Sequence, residues 1–135
     1  MGLDMNLYRR RKVNNPDDFY SYNSICYWGK RWPIFDWFKR HLGIKIENGK
    51  YYPISKELLI QLRDDCYSVL KEATDGQNLI DSEKAAKYIP IDEEDVANSY
   101  DELYVDLIAY TLEKTIDAVL YTDFDDAEIS FHADW

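Results

Sequence analysis

The chain contains few of the residues that small domains use to cross-link a fold or to build a phosphate loop. Its 135 residues include two cysteines, Cys26 and Cys66, which is too few for a disulfide framework. Its five glycines form no glycine-rich phosphate loop. No apolar run approaches the roughly 20 residues that span a bilayer, and Asp4 and Asn6 interrupt the place of an apolar signal segment. These absences predict a soluble cytoplasmic protein.

Basic residues are almost absent from the last third of the sequence. Between Asp92 and Asp134 there are fourteen acidic residues and one basic residue, Lys114, so this stretch carries a formal charge of −13. The whole chain carries −10, and the acidity is therefore local. A dense local negative charge bears on the choice of binding partners rather than on the fold. It repels nucleic acid and acidic membranes and attracts basic surfaces.

The composition that remains is that of a folded domain. Apolar residues make up 46% of the chain, which is enough for a packed core, and 135 residues suit one domain better than two. We therefore expect a single compact domain over residues 1–135. Aromatic residues make up 16%, and tyrosine and tryptophan suit interfaces as well as cores because each has a large apolar surface and a polar group.

Alternation of apolar and polar residues predicts a strand near each end of the sequence. In residues 2–8, Leu3, Met5 and Leu7 share one face. In residues 128–135, the apolar residues stand at odd positions from Ile129 to Trp135, and the polar residues point the other way. A terminal strand that buries Trp135 would join a sheet with the first strand.

A third sheet element is predicted from the pair Asn48-Gly49. Residues 44–52 place short strand-like segments on both sides of this pair. Both central residues of a type I′ turn need a positive φ, which Asn-Gly provides at low cost. We therefore expect a β-hairpin over residues 44–52.

Apolar residues at helical spacing predict about three helices. The first lies within residues 27–42 and is entered around Trp32-Pro33, since proline is accepted in a first turn. The second covers residues 55–73 and has Ser55 as its N-cap. The third covers residues 99–121, and Ser99 begins a capping box. Together with the strands, these helices predict an α+β fold in which a small antiparallel sheet packs against about three helices.

Five segments, taken in order along the chain, resemble a family of small uncharacterised proteins encoded by phages and prophages. The segments are Met1-Gly-Leu-Asp-Met-Asn-Leu-Tyr8, Tyr27-Trp28-Gly-Lys with Trp37-Phe38, Ser55-Lys-Glu-Leu with Cys66 and Val69-Leu70, Tyr100-Asp-Glu-Leu-Tyr-Val-Asp-Leu107, and His132-Ala-Asp-Trp135. The resemblance implies a phage-type origin, one compact domain and no established activity. The chain departs from the family at Trp32 and Phe35, where relatives carry a small polar residue and a histidine, and in the charged segment 89–96.

One acidic motif has the spacing of a calcium loop. Asp123, Asp125 and Asp134 stand at positions 1, 3 and 12 of such a loop. An EF-hand also needs an oxygen ligand at position 5 and glycine at position 6, and this chain has Ala127 and Glu128 there. The motif therefore does not predict a calcium site.

Other combinations of reactive residues are equally unspecific. Cys26, His41, Cys66 and His132 lack the paired spacing of metal ligands. We therefore expect no metal, no other cofactor and no catalytic residue, although a cysteine–histidine pair that meets only in the fold stays open. The basic run at residues 9–12 is interpreted as a solubilising strand end or as an internal counter-charge to the acidic half.

The acidity and the phage resemblance together predict an interaction protein rather than an enzyme. We expect it to present carboxylates to a basic nucleic-acid-binding groove of a host defence protein, of the anti-CRISPR or anti-restriction type, without binding nucleic acid or membrane itself. Aromatic side chains would add desolvated anchors. The predicted contact residues are Asp92, Glu93, Glu94, Asp95, Tyr100, Asp101, Glu102, Tyr104, Asp106, Asp123, Asp125, Asp126, Glu128, Asp134 and Trp135.

Three other interpretations are kept. Excess carboxylates can simply provide solubility. Clustered carboxylates could instead serve a small metal-dependent phage enzyme. The aromatic surface could build a homo-oligomer with a structural or assembly role.

Overall fold

The computed structural model describes residues 2–11, 23–72, 87–90 and 104–135, and within them it has an α+β fold. Its strands are β1 (Asp4–Arg11), β2 (Asn23–Gly29), β3 (Tyr51–Ile54) and β4 (Ala127–Asp134). Its main helices are α1 (Trp32–Leu42), α2 (Lys56–Glu72) and α3 (Tyr104–Tyr121). The predicted fold class is confirmed.

The strands that alternate near the two ends of the sequence lie side by side at the centre of the sheet. The order is β2-β1-β4-β3, and every neighbouring pair is antiparallel. Met5 pairs with Ala133 and Leu7 with Phe131, so the apolar residues of both strands lie on the same face. The predicted pairing of the first and last strands is therefore confirmed.

The apolar face of this sheet and the helices form the core. Leu7 and Phe131 are fully buried, and the Phe131 ring stacks on that of Phe38 in α1, with ring centroids 4.1 Å apart. On β2, the Trp28 indole N–H donates to the hydroxyl of Thr111 in α3 at 2.9 Å. This bond satisfies the polar group of a buried tryptophan and fixes α3 against the sheet.

The opposite face of β4 is also covered at its centre, which corrects the predicted outward row. Ser130 and His132 are 2% and 8% exposed. The ring centroid of His132 lies 4.4 Å from that of Tyr51 and 5.8 Å from that of Tyr8. Because β4 has a neighbour on each side, cross-strand side chains shield its polar residues. Trp135 lies past the end of β4 and is 41% exposed rather than buried.

The hairpin predicted over residues 44–52 is wrong in its first arm. The Asn48-Gly49 turn forms, and the Lys50 N–H donates to the Glu47 carbonyl at 3.3 Å. Of the two central residues only Gly49 has a positive φ (78°), as in a type II turn rather than the predicted type I′. The first arm forms no strand, and β3 pairs with β4 instead.

Contacts with the end of β4 explain this difference. The Asn48 side chain accepts the Trp135 N–H at 3.1 Å and donates to the Trp135 carbonyl at 3.2 Å. The Gly49 N–H donates to the Ala133 carbonyl at 2.8 Å. The turn is therefore held by β4 rather than by a second arm of its own, and long-range pairing overrides the local preference.

Within the predicted range 27–42, the first helix begins at the expected entry, Trp32-Pro33, rather than at Tyr27. It starts at Trp32 with Pro33 in the first turn, as expected. Gly43 ends it in a left-handed conformation (φ 66°) and donates its N–H to the Lys39 carbonyl at 3.2 Å. Glycine adopts this conformation without a steric penalty, so the predicted end of the helix is confirmed.

Residues 27–29 belong to β2, which the helical interpretation missed. In this strand the buried residues Cys26 and Trp28 alternate with the exposed Tyr27. The pattern is too short to stand out beside the stronger helical pattern that follows it. Lys30, directly after the strand, has a positive φ of 51°, which turns the chain sharply toward α1.

The other two helices follow their predicted apolar stripes. The Ser55 hydroxyl accepts the Leu58 N–H at 3.1 Å, so the predicted N-cap of α2 is confirmed. The capping box at Ser99 and Glu102 lies outside the described residues. No helix in the described ranges is both long and apolar enough to cross a membrane. The buried residues of α2 are Leu59, Leu62, Cys66 and Val69.

We expect Phe131→Ala to lower the free energy of unfolding by about 3–5 kcal/mol, because it removes a fully buried ring at the centre of the sheet. Urea unfolding followed by circular dichroism measures this change. Leu120→Ala is the control, since Leu120 is 68% exposed and its loss should cost less than about 0.5 kcal/mol. Equal costs for the two variants would contradict this description of the core.

Candidate partner-binding surface

The exposed face of α3 carries a row of carboxylates. Asp106, Glu113 and Asp117 are exposed and lie seven and four residues apart. At 100° per residue these intervals place the three side chains on nearly the same side of the helix. We call them the acidic row. The buried residues on the opposite side of α3 are Tyr104, Leu107, Ile108, Thr111, Thr115 and Ala118.

Large apolar side chains adjoin the acidic row at the end of α3. Leu120 is 68% exposed and Tyr121 is 74% exposed, which are the highest values among the large hydrophobic residues of the described part. Ile116, one turn earlier, is 38% exposed. Single exposed apolar residues are common, but three within six residues beside a charged row are typical of an interaction surface.

The turn between α3 and β4 is built on one aspartate. The Asp123 side chain accepts the Asp125 N–H at 3.0 Å, and its carbonyl accepts the Asp126 and Ala127 N–H groups at 3.0 and 2.8 Å. This is an Asx-type turn, so Asp123 has a structural role in addition to its charge. Asp125 is exposed and adds a further carboxylate close to the end of α3.

The basic run neutralises the start of the acidic strand. Arg10 pairs with Glu128 at 2.7 Å, and Arg11 pairs with Asp126 at 3.4 Å. Arg9 donates to the Tyr121 carbonyl at 3.3 Å at the end of α3. Of the two interpretations of this run, internal counter-charge describes Arg10 and Arg11, whereas Arg9 binds the end of α3. Lys12 lies outside the described residues.

The structure distributes the predicted contact residues that it describes over α3, the turn that follows it and β4. Asp106 lies in α3, Asp123, Asp125 and the neutralised Asp126 lie in the turn, and the neutralised Glu128 lies at the start of β4. β4 then runs away from this turn for about 23 Å, at roughly 3.3 Å per residue, and ends at Asp134 beside Trp135.

Trp135 belongs to an aromatic cluster of its own. Its ring packs edge-on against Phe35 at 5.8 Å, and Phe35 packs edge-on against Trp32 at 5.5 Å. Trp135 is therefore separated from the turn carboxylates Asp123 and Asp125 by the full length of β4.

One predicted anchor is wrong for a different reason. Tyr104 is 2% exposed and belongs to the buried side of α3, so it cannot make a surface contact. The other predicted contacts lie outside the described residues. They are Asp92, Glu93, Glu94, Asp95, Tyr100, Asp101 and Glu102.

The described residues do not form a metal centre. No group of three or more histidine, cysteine, aspartate or glutamate side chains within them could hold a metal ion. Asp123 and Asp125 lie at the opposite end of β4 from Asp134, so the calcium-like spacing does not bring these three carboxylates together.

The two cysteines are buried thiols rather than nucleophiles. Both are free and buried in the core. Burial raises the pKa of Cys26 to about 12, and a hydrogen bond with Tyr110 and the charge of Lys114 only partly oppose this rise. Burial also raises the pKa of Cys66. Because the thiolate is the reactive form, neither side chain suits nucleophilic catalysis at neutral pH.

The predicted contacts omitted several residues that the structure brings to this surface. Glu113, Ile116 and Leu120 were not among them, although they share the exposed side of α3 with Asp106 and Asp117. Their spacing of three or four residues could have identified them. Comparisons with protein-family models, with curated proteins and with solved structures found no match.

We expect the stability of the protein to fall as the pH rises above about 8.5, the usual pKa of an unfolded cysteine. The folded Cys26 thiol keeps its proton up to about pH 12. The unfolded state therefore binds fewer protons over this range, and each pH unit costs up to about 1.4 kcal/mol for this thiol. Urea unfolding at several alkaline pH values measures the slope. In Cys26→Ala the slope should be shallower, and an unchanged slope would contradict the assignment.

Proposed function

We propose that this chain is an interaction protein whose acidic row binds a basic surface of another protein. One observation carries the proposal: Asp106, Glu113 and Asp117 form no ion pair with the described residues, whereas Asp126 and Glu128 are paired with arginines. The arginines of β1 thus neutralise the carboxylates at the start of β4. The carboxylates of α3 are left with a negative field that attracts basic groups of another protein.

The geometry of α3 supports recognition of a repeated basic surface. With a rise of about 1.5 Å per residue, Asp106 and Glu113 are separated by about 10 Å along the axis, and Glu113 and Asp117 by about 6 Å. The helix already fixes the backbone that carries these charges, so binding loses less backbone entropy than it would for carboxylates on an unstructured segment.

The exposed apolar side chains at the end of α3 can add binding free energy to the small contribution of the carboxylates. Exposed ion pairs are each worth only about 0.2–1 kcal/mol, because water and salt screen them. Leu120 and Tyr121 add apolar area beside the row, and such side chains contribute most when a partner removes them from water. The proposed contact is therefore a charged row that orients the partner and an apolar end that holds it.

The proposed class of target is a host protein that binds nucleic acid. A surface that binds phosphates is lined with lysine and arginine, and carboxylates on a helix can occupy the places of phosphates. The formal charge of −13 between Asp92 and Asp134 supports this class. The finer proposal, a phage inhibitor of a CRISPR or restriction protein, rests in addition on the phage resemblance.

A three-residue neutralisation tests the proposal. We expect Asp106→Asn, Glu113→Gln and Asp117→Asn together to weaken binding to basic partners by roughly 3- to 160-fold, which corresponds to the summed free energy of three exposed ion pairs. The immobilised protein is exposed to a bacterial lysate at low and at moderate salt, and the retained proteins are quantified by mass spectrometry. A double-stranded DNA fragment added as competitor should displace them, because it occupies the same basic surface.

The matched control changes three exposed acids elsewhere by the same total charge. Glu47→Gln, Glu57→Gln and Asp64→Asn together should change retention by less than about threefold. The proposal fails if both variants retain the same proteins equally. It also fails if neither salt nor DNA reduces retention.

A further inference from the structure

The two edges of the sheet differ in how well they are closed to another strand. The edge strand β3 spans Tyr51–Ile54 and contains Pro53, which has no N–H to donate. The edge strand β2 spans Asn23–Gly29 and contains no proline. Among the described residues only β1 is paired with β2. β2 therefore offers the longer row of outward backbone groups.

The hydrogen bonds define which groups of β2 point outward. The Lys30 N–H donates to the Leu3 carbonyl of the neighbouring chain segment at 2.6 Å. In an antiparallel pair the backbone groups of successive residues point alternately toward the partner and away from it. Gly29 and Tyr27 therefore direct their N–H and C=O groups away from β1. The Tyr27 N–H confirms this direction, because it donates to the Tyr110 hydroxyl of α3 at 3.1 Å.

Two cavities lie in line between this edge and α3. One has a volume of about 270 Å³ and is lined by Tyr27, Gly29 and Arg31 on the strand side and by Asp106, Leu107 and Tyr110 of α3. The other, of about 210 Å³, is lined by Arg9 and Ile25 and by residues of α3 from Lys114 to Tyr121. Tyr110 stands between them and reaches the strand at Tyr27. The edge and the helix thus form an interrupted groove.

We propose that this groove binds an extended peptide segment of a partner protein, which adds to β2 as a fifth strand. An added strand pairs its backbone with the outward groups of Tyr27 and Gly29, and it directs alternate side chains into spaces beside the edge. In this arrangement a peptide carbonyl replaces the Tyr110 hydroxyl as the acceptor of the Tyr27 N–H. The two cavities receive side chains on either side of that point.

The charges of the groove indicate the chemistry of the peptide. Arg9, Lys114 and Asp117 line the smaller cavity, and Arg31 and Asp106 line the larger one. The formal charges of these five side chains add up to +1, whereas the whole chain carries a net charge of −10. The groove therefore suits an apolar peptide with an acidic residue near Arg9 and Lys114. Asp106 and Asp117 also belong to the acidic row, and the Gly29 variants described next leave both carboxylates unchanged, so the two proposals are tested separately.

Gly29 allows a matched test of backbone pairing. Gly29→Pro removes its outward N–H, whereas Gly29→Ala adds the same first side-chain carbon and keeps the N–H. In both variants the added carbon lies 3.1 Å from the Tyr27 hydroxyl oxygen. This oxygen is at the end of a flexible side chain, which can shift slightly to make room. Proline is tolerated in an edge strand where the N–H faces outward. Circular dichroism and the unfolding midpoint show whether each variant is folded.

The probe is a displayed library of random 12-residue peptides selected on the full chain. We expect it to enrich peptides with alternating apolar residues and an acidic residue. Their affinity should fall about tenfold or more in Gly29→Pro and change little in Gly29→Ala, as expected for one lost backbone hydrogen bond. As a second measurement that does not depend on the folding of a variant, N-methylation of alternate peptide residues should abolish binding to the unchanged protein.

Three results would overturn the proposal. The first is a selection that enriches no peptide. The second is binding that survives N-methylation or is equal in the two Gly29 variants. The third is a dimer of the protein, detected by light scattering, that dissociates in Gly29→Pro but not in Gly29→Ala, because the edge would then be occupied by a second copy of this chain.

Discussion

The pairing of β1 with β4 is the interaction on which the rest of the structure depends. It places Leu7 beside Phe131, and the Phe131 ring then stacks on Phe38 of α1. With β1 and β4 at the centre, β2 and β3 become the edges, and the helices cover the apolar face. This pairing joins residues more than a hundred positions apart, so its loop-closure cost must be met by the apolar area that the sheet buries.

The same pairing arranges the charges. The antiparallel register sets Arg10 opposite Glu128 and Arg11 opposite Ala127, beside Asp126. Carboxylates that look alike in the sequence therefore have different surroundings in the fold. Those at the start of β4 are compensated, whereas Glu113 on α3 is exposed and forms no ion pair with the described residues. A count of acidic residues describes the field at long range, but the register decides which carboxylates are available at short range.

Several local patterns predicted their elements correctly, and those that failed were overridden from outside. Ser55 caps α2 and Gly43 ends α1, because these roles depend only on nearby backbone groups. Asn48 has the sequence context of a hairpin, yet its side chain binds the backbone of Trp135. Tyr104 has a polar group and an acidic neighbourhood, yet it faces the core. Both failures come from contacts with residues distant in sequence, which a local pattern does not contain.

The sequence by itself determined the fold class, the apolar faces of the first and last strands, the N-cap of α2, the end of α1 and the local excess of negative charge. Each of these follows from composition or from the period of a short segment. Only the tertiary structure decided that β3 pairs with β4, that the arginines compensate part of the acidic strand and that the Asn48 side chain binds the backbone of Trp135. The physical reason is that pairing and charge compensation depend on which segments meet across the sheet, and side-chain periodicity does not encode that choice.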